Sequence, residues 1–458
     1  MTASEPTGGR SPLRALLVLA LPIVGVNVGM MLMGAVDTLM VGRVSAEALA
    51  AVAIGNVYFH GLIMLGVGIL LALDPVVSQA LGAEEHEGVA LAVQRGMVLA
   101  ALLSIPVMAL LAVGEPILRA LDQPRDVLPL LGTYCLILVP SVFPFLAFNV
   151  GRQTLQAMHR AAPVLWTIVV ANVVNVILNR WLIFGGLGLE PMGVAGSAWA
   201  TTLSRALMAV LIFRVGRVDL AGTLRPWHPE ALRVRALWRL FRLGLPIGIQ
   251  IEIEFAAFST VALLMGTFGT VSVAGHQIAL NLASLTFMVP MGVGMGAAVV
   301  VGRAVGRREP EAARAAARSA LVVGAGFMAC TALAFLLLPR FLAALYSTDA
   351  AVVAFAAMLL PIAGIFQVFD GLQVVSAGIL RGLGDTTAPM LINLVGFVGV
   401  GISSSLWLAF RTSLGAVGLW WGLVLGLSAV AVILVLRVRV ALRRPLRRVT
   451  VDATPALD

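Results

Sequence analysis

Five carboxylates interrupt otherwise apolar stretches of the chain, and they are the residues whose chemistry stands out. They are Asp37, Asp74, Glu252, Glu254 and Asp370. An ionised carboxylate at the centre of a membrane costs roughly 2.5–3.5 kcal/mol even on the gentlest scale. Each one must therefore face a wet cavity, pair with a cation or carry a proton, and all three situations are typical of residues that handle ions.

Two of these carboxylates are the strongest candidates for a functional role. Asp370 lies about twenty residues into its apolar stretch, and Gln367 and Gln373 share its helix face at a spacing of three residues. Glu254 lies in the middle of another stretch, with Gln250 one helical turn earlier on the same face. We interpret Glu254 and Asp370 as functional residues and the three glutamines as candidates for lining a cavity.

The remaining carboxylates each allow a second interpretation. Asp37 is also a functional candidate, although it lies close to Arg43 and an ion pair between them at headgroup level is the alternative. Asp74 precedes a proline, so its charge either caps a helix or belongs to a site. Glu252 points about 200° away from Glu254 on a helix, which favours a structural or interfacial role.

Amides recur at helical spacing on three further stretches. A single buried amide usually makes one interhelical hydrogen bond, whereas several on one face indicate a polar cavity. Together with Gln250, Gln367 and Gln373, the residues predicted to line such a cavity are Asn149, Asn172, Asn175, Asn179, Gln277 and Asn281.

The composition indicates that lipid surrounds most of the protein. Of the 458 residues, 60% are hydrophobic and 12% are charged, whereas a soluble domain carries roughly 25% charged residues. The net charge of +9 comes from arginine alone, since no lysine occurs. The arginines lie at the ends of apolar stretches, which favours topology control over nucleic-acid binding. The absence of lysine excludes a P-loop lysine.

The sequence offers no support for catalysis. The five histidines show no metal-ligand spacing, and no nucleophile is followed by a histidine in a recognisable arrangement. We therefore expect a protein that is not an enzyme and carries no cofactor.

The elements that must position these residues are transmembrane helices. About 20 apolar residues span the roughly 30 Å of a bilayer, and the sequence predicts twelve such segments in an all-α polytopic protein. They cover residues 14–40, 47–79, 90–113, 127–157, 163–185, 193–215, 238–266, 272–303, 317–342, 350–380, 388–410 and 415–437.

The distribution of arginine predicts the orientation. Arginines concentrate at the N-terminus (Arg10, Arg14), after the sixth and eighth segments and in the tail, and the loops after odd-numbered segments contain fewer. Cytoplasmic loops carry the excess of positive charge. We expect a multi-pass protein of the inner membrane with both termini in the cytoplasm.

An internal repeat divides the chain into two halves. Leu21-Pro22 matches Leu245-Pro246 at an offset of about 224 residues, and Val41-Gly42 matches Met265-Gly266 at the same offset. Six segments per half give parallel repeats, with a central cavity expected between them. The predicted parts are the N-terminal half (1–215), a cytoplasmic linker (216–237), the C-terminal half (238–437) and a basic cytoplasmic tail (438–458).

Several motifs resemble the multidrug and toxic compound extrusion (MATE) transporters. In the first half these are Leu19-Ala20-Leu21-Pro22, Val36-Asp37-Thr38-Leu39-Met40-Val41-Gly42 and Gln79-Ala80-Leu81-Gly82. In the second half they are Val273-Ala274-Gly275-His276-Gln277-Ile278-Ala279-Leu280-Asn281 and Gly378-Ile379-Leu380-Arg381-Gly382-Leu383-Gly384-Asp385. The resemblance covers essentially the whole chain, in order.

The resemblance implies a cation-coupled antiporter, driven by H⁺ or Na⁺, that expels amphipathic, often cationic compounds. Asp37, Glu254 and Asp370 fall at positions similar to the membrane carboxylates of the family, which implies roles in cation coupling and substrate binding. Sodium, if used, is expected at Glu254 and Asp370, which are typical of the NorM-like branch. Asn179 stands where the DinF-like branch tends to have Asp, which favours the NorM-like branch. Some members carry a Tyr one turn before the carboxylate of the tenth segment, where this chain has Phe366.

We therefore expect multidrug efflux by alternating access, with small amphipathic molecules and the bilayer as partners and a monomer as the working unit. The alternative is a flippase for lipid-linked oligosaccharides, which is also built from repeated helices. Such proteins tend to present a cationic cavity for the pyrophosphate group. Here Arg152 is the main cationic candidate against at least three carboxylates, which disfavours the flippase.

Overall fold

The computed structural model describes residues 12–186 and 188–449, and these residues are helical almost throughout. Arg10 of the predicted N-terminal segment and residues 450–458 of the predicted tail lie outside the described residues. The first nine helices are α1 (Pro12–Val41), α2 (Ala46–Leu70), α3 (Leu73–Gly82), α4 (His86–Ala112), α5 (Gly114–Ala120), α6 (Leu128–Leu138), α7 (Val142–Ala157), α8 (Ala161–Phe184) and α9 (Gly193–Val215).

The second nine are α10 (Arg217–Leu224), α11 (Val234–Gly266), α12 (Thr270–Gly306), α13 (Pro310–Leu337), α14 (Pro339–Ala344), α15 (Ala350–Gly382), α16 (Thr387–Asn393), α17 (Ser403–Arg411) and α18 (Ala416–Arg443). Short 3₁₀ turns cover Val139–Ser141 and Pro229–Leu232, and a π-helical segment covers Leu394–Ile402. Within the described ranges the β-structure amounts to one isolated bridge between Gly186 and Leu189.

Twelve helical stretches of the described chain are long and apolar enough to cross a membrane, which confirms the predicted all-α fold and the predicted number. Some observed ends of these stretches lie beyond the predicted ends, among charged residues. The ninth stretch starts at Pro310 instead of 317, and the twelfth runs to Arg443 instead of 437. A helix continues past its apolar part because its backbone groups stay hydrogen-bonded there, while long arginine side chains reach the headgroups.

The second membrane stretch is interrupted immediately before a buried carboxylate. Helices α2 and α3 are separated by two residues, and Asp74 and Pro75 occupy the first turn of α3. Proline is tolerated there because the first N–H groups of a helix have no intrahelical partner. Asp74 is 3% exposed, and an acidic side chain in a first turn meets the positive end of the helix dipole.

The described chain forms two compact units. The N-unit comprises residues 25–252, and the C-unit comprises residues 12–24 and 253–449. The chain passes from one unit to the other inside α1 and inside α11. The predicted linker, 216–237, is part of the N-unit, where Gln94 Nε2 donates to the carbonyl oxygens of Thr223 and Pro226.

Glycine allows close backbone contact between helices in the N-unit. Gly244 and Gly248 lie four residues apart on α11, and a Cβ at Gly248 would lie 2.7 Å from the carbonyl oxygen of Leu65 on α2. Small residues at this spacing let membrane helices approach closely. The α11 segment before Glu252 is thereby fixed against α2.

The C-unit uses the same device to pack the helix that carries Asp370. Gly378 and Gly382 of α15 lie against α12, and a Cβ at Gly382 would lie 2.6 Å from the carbonyl oxygen of Ala298. Closer to the middle of α15, Phe366 is buried, and its ring centroid lies 5.7 Å from that of Phe258 and 5.9 Å from that of Trp420. Backbone contact and aromatic packing together leave α15 little freedom to rotate.

Candidate functional site

Asp37 is buried in the N-unit, and side chains from two other helices bind it. Its exposed fraction is 3%. Asn179 Nδ2 of α8 donates to Asp37 Oδ1 at 2.5 Å, and Thr201 Oγ1 of α9 donates to Oδ2 at 2.7 Å. Arg43 is exposed and is not among the partners of Asp37. The headgroup-level ion pair considered from the sequence is therefore not formed.

Asn175 completes the cluster around Asp37. Its Oδ1 accepts a hydrogen bond from Asn179 Nδ2 at 3.1 Å. Asn179 Oδ1 is buried and makes no hydrogen bond with the described residues. Carboxylate, amide and hydroxyl oxygens are the ligands that hard cations prefer, so the Asp37 cluster offers a proton acceptor and a set of oxygen donors within the membrane.

A basic side chain also acts on Asp37. Arg205 lies one turn after Thr201 on α9, and its charge interacts with that of Asp37. The guanidinium carbon lies 3.9 Å from the ring centroid of Phe59, and Nη1 donates to Ser141 Oγ at 3.1 Å. The Asp37 cluster therefore has a cation of its own nearby.

Glu254 and Asp370 form the corresponding cluster in the C-unit. Glu254 Oε1 accepts hydrogen bonds from Gln373 Nε2 of α15 at 2.6 Å and from Asn393 Nδ2 of α16 at 2.5 Å. Asp370 lies one turn before Gln373, and the charged group that acts on it is Glu254. Both carboxylates are half-buried. The structure thus brings together the two carboxylates that the sequence marked as strongest.

The two amides in this cluster leave their oxygens available. Gln373 Oε1 and Asn393 Oδ1 are buried and have no hydrogen-bond partner among the described residues. With the two carboxylates they make a set of oxygen ligands suited to a hard cation. Two negative charges in a medium of low dielectric also repel each other, and a proton or a metal cation at this cluster relieves that repulsion.

Gln367 lies apart from this cluster, although it was predicted on the same face as Asp370. Its Nε2 donates to Thr331 Oγ1 at 3.0 Å, and its Oε1 accepts from Thr286 Oγ1 at 2.7 Å. These bonds join α15 to α13 and α12. We interpret Gln367 as an interhelical contact that fixes the rotation of α15.

The other predicted amides are dispersed. Asn172 donates to the carbonyl oxygens of Gly29 and Ile168, and Asn149 donates to its own helix at Phe145. Gln277 is exposed, Asn281 is half-buried and Gln250 is buried in the part of α11 that belongs to the N-unit. The hydrogen bonds of these amides lie in separate contacts, and the cavity lining predicted from their spacing stays a prediction.

Three residues at these clusters were missed by the sequence analysis. Thr201 is one hydroxyl within a Thr-Thr-Leu-Ser run, and Asn393 is a lone amide in an apolar stretch. A lone polar residue gives no periodic signal. Arg205 could have been recognised as a candidate from the sequence, because an arginine twelve residues into a membrane stretch that begins at Gly193 is unusual.

The MatE family matches residues 22–181 and 246–407, and these two segments begin 224 residues apart. That distance equals the offset of the internal repeat. The family match therefore supports the repeat independently of the motifs.

Full-length relatives and a solved structure are similar to the chain. The probable multidrug resistance protein NorM of Mesorhizobium japonicum is 39% identical and covers 93% of this chain and 94% of its own. The multidrug resistance protein NorM of Burkholderia vietnamiensis is 36% identical, with 92% of both chains covered. The crystal structure of the eukaryotic MATE transporter AtDTX14 has a TM-score of 0.85 at 22% identity, over 94% of this chain and 98% of that one. At 22% identity the structural similarity shows the fold alone.

Proposed function

The chain belongs to the MatE family, and from that premise we propose that it is a multidrug efflux antiporter coupled to H⁺ or Na⁺. The observation that carries the proposal is the carboxylate cluster of the C-unit, in which Gln373 of α15, one turn after Asp370, donates to Glu254 inside membrane-spanning helices. Carboxylates within membrane-spanning helices are costly in lipid and are typical of ion and substrate pathways. The names of the NorM relatives support export of diverse compounds as the purpose of that coupling.

The proposed mechanism is competition for negative charge between the coupling ion and an amphipathic, cationic substrate. In an outward-facing state the carboxylates take up the ion and the substrate leaves. In an inward-facing state the ion leaves and the substrate binds. Coupling requires only that simultaneous occupation of the site by both cations is unfavourable.

The membrane potential supplies enough energy for this exchange. One elementary charge is worth about 2.3 kcal/mol per 100 mV. A potential of about 150 mV therefore provides roughly 3.5 kcal/mol per ion, which sustains about a 300-fold concentration ratio of substrate.

The two clusters have different roles in this proposal. Two acidic groups at Glu254 and Asp370 give the C-unit the stronger attraction for a cation. Asp37 has the charge of Arg205 nearby, which lowers its attraction for a second cation through Coulomb repulsion. We assign the primary coupling site to Glu254 and Asp370 and an auxiliary role to Asp37, with the protein in the bacterial inner membrane and both termini cytoplasmic.

Transport in proteoliposomes tests the proposal directly. Purified protein is reconstituted, an outward-to-inward gradient of H⁺ or Na⁺ is imposed in separate experiments, and export of a fluorescent cationic dye is followed. Dye movement that responds to one gradient and stops when it is collapsed is the expected result. Dye movement that ignores both gradients would contradict coupling. Scrambling of a lipid-linked oligosaccharide without dye export would favour the flippase instead.

A further inference from the structure

A basic cavity lies at the C-terminal ends of three helices in the C-unit, and its lining shares no residue with either carboxylate cluster. Its volume is about 610 Å³, within the range of roughly 300–1,000 Å³ typical of ligand sites. The walls come from the end of α12, the loop after α15, the last turns of α18 and the segment that follows. The lining includes Gly384 and four charged residues, Asp385, Arg437, Arg444 and Arg447.

The charges around the cavity do not balance. Arg437 is neutralised by Asp385, since its Nε and Nη2 lie 2.8 and 2.7 Å from Asp385 Oδ2. Arg444 and Arg447 are exposed and form no ion pair with the described residues. Two guanidinium groups therefore face one cavity without an acidic partner from the described part of the chain, which is the electrostatic signature of an anion site.

Other contacts hold the walls in place. Arg314 Nε of α13 donates to the carbonyl oxygen of Leu442 at 3.1 Å, which fixes the end of α18 and satisfies one of its terminal carbonyls. Gly384 has φ +82°, and Val449 packs directly against it. A side chain at position 384 would collide with Val449, so this glycine allows the segment after α18 to close over the loop.

Part of the cavity lining is apolar. It comprises Val305, Leu383, Ala441 and Leu446, and the last three also pack against the hydrophobic core of the C-unit. A site that combines guanidinium groups with aliphatic groups matches an amphipathic anion. Arginine binds phosphate oxygens through two parallel N–H groups, and basic pockets at helix ends recognise the headgroups of anionic lipids.

We propose that this cavity binds the phosphate of an anionic phospholipid through Arg444 and Arg447. The glycerol and the first acyl carbons then lie against Leu446 and Val305. The site does not depend on the coupling ion or on the transported substrate. A free phosphate shares the charged half of this chemistry, so the experiment must separate the two sources.

Lipid binding to the full-length protein tests the proposal by native mass spectrometry. The wild type and R444Q/R447Q are titrated with phosphatidylglycerol, with phosphatidylcholine and with inorganic phosphate. The matched control is R439Q/R443Q, which removes two exposed arginines from the same end of α18 that do not line the cavity. All four positions are exposed, so folding of both variants is expected and is checked by size-exclusion chromatography.

We expect R444Q/R447Q to weaken phosphatidylglycerol binding about tenfold or more and R439Q/R443Q to weaken it less than about twofold. Phosphatidylcholine, with no net charge, should bind weakly to all three proteins. Equal losses in the two double variants would overturn the proposal, because the effect would then come from diffuse surface charge. Saturable binding of inorganic phosphate that phosphatidylglycerol does not displace would overturn the lipid assignment.

Discussion

The side-chain amide of Gln373 donates to Glu254 across two helices of the C-unit, with 2.6 Å between Nε2 and Oε1. The contact orients the amide so that its nitrogen faces the carboxylate, while its own oxygen stays buried without a partner among the described residues. Gln373 thus connects α15, which carries Asp370 one turn earlier, with Glu254 on α11. The positions of α15 and α11 therefore determine whether the cluster exists.

Asp370→Asn and Glu254→Gln are each expected to abolish ion-driven efflux while leaving the protein folded. Each change removes one negative charge from the pair and keeps the shape and polarity of the side chain. Ion-driven dye export in proteoliposomes should fall at least about tenfold, since the driving energy of roughly 2.3 kcal/mol per charge and 100 mV is no longer coupled. Glu309→Gln, which alters an exposed carboxylate of the same unit, is the control and should behave as wild type. Wild-type export by Asp370→Asn would rule out its coupling role.

Thr201→Val is expected to change the ion dependence of transport. Thr201 and Thr202 are neighbours on α9 and both are buried, but Thr201 donates to Asp37 whereas Thr202 donates to the carbonyl oxygen of Ile137. Thr202→Val is the matched control. Thr201→Val and Thr202→Val each leave a buried acceptor without its donor, so each should lower the free energy of unfolding by about 1–3 kcal/mol. The half-saturating ion concentration should shift several-fold only in Thr201→Val. Identical ion titrations for the two variants would argue against a role of the Asp37 cluster in transport.

Gly378→Ala is expected to destabilise the protein, whereas Gly326→Ala is expected to be neutral or to stabilise it. A Cβ at Gly378 would collide with the backbone of Gly294 on α12, whereas at Gly326 of α13 it meets nothing within 4 Å. The first change should cost about 1–3 kcal/mol or more through overpacking. The second should be neutral or stabilise by up to about 1 kcal/mol, because alanine is the better helix former. Thermal unfolding in detergent measures both, and equal midpoints would contradict the close packing of α12 against α15.

Arg205 and Phe59 are expected to show a measurable coupling energy. The guanidinium group lies 3.9 Å from the ring centroid, and a desolvated contact of this kind is worth about 1–2 kcal/mol. In a double-mutant cycle we expect Arg205→Lys and Phe59→Leu to be non-additive by about 1 kcal/mol in the free energy of unfolding. Arg205→Lys keeps the charge and loses the planar stacking. Strict additivity would show that the contact contributes nothing specific.

The membrane helices can be located from the sequence because hydropathy is a sum over neighbouring residues. The predicted segment 193–215 coincides with the observed one, and the ends of the other segments mostly differ by a few residues. The resemblance also placed Glu254 and Asp370 in one functional set. Asn393 could not be recognised, because its role depends on the position of α16 relative to Glu254. Gln367 shows the converse, since its favourable spacing from Asp370 did not bring it to the carboxylates.

The sequence by itself determined that this is a helical membrane protein with carboxylates placed where lipid makes them costly. Those properties follow from local composition and from the length of apolar stretches, which are independent of how the helices pack. Only the tertiary structure decided that Asp37 meets Thr201 and Asn179 and that Glu254 meets Gln373 and Asn393. Those contacts join residues 119 to 164 positions apart. Helix rotation and the close packing of helices at glycine fix these contacts. Neither property can be recognised from a local sequence pattern.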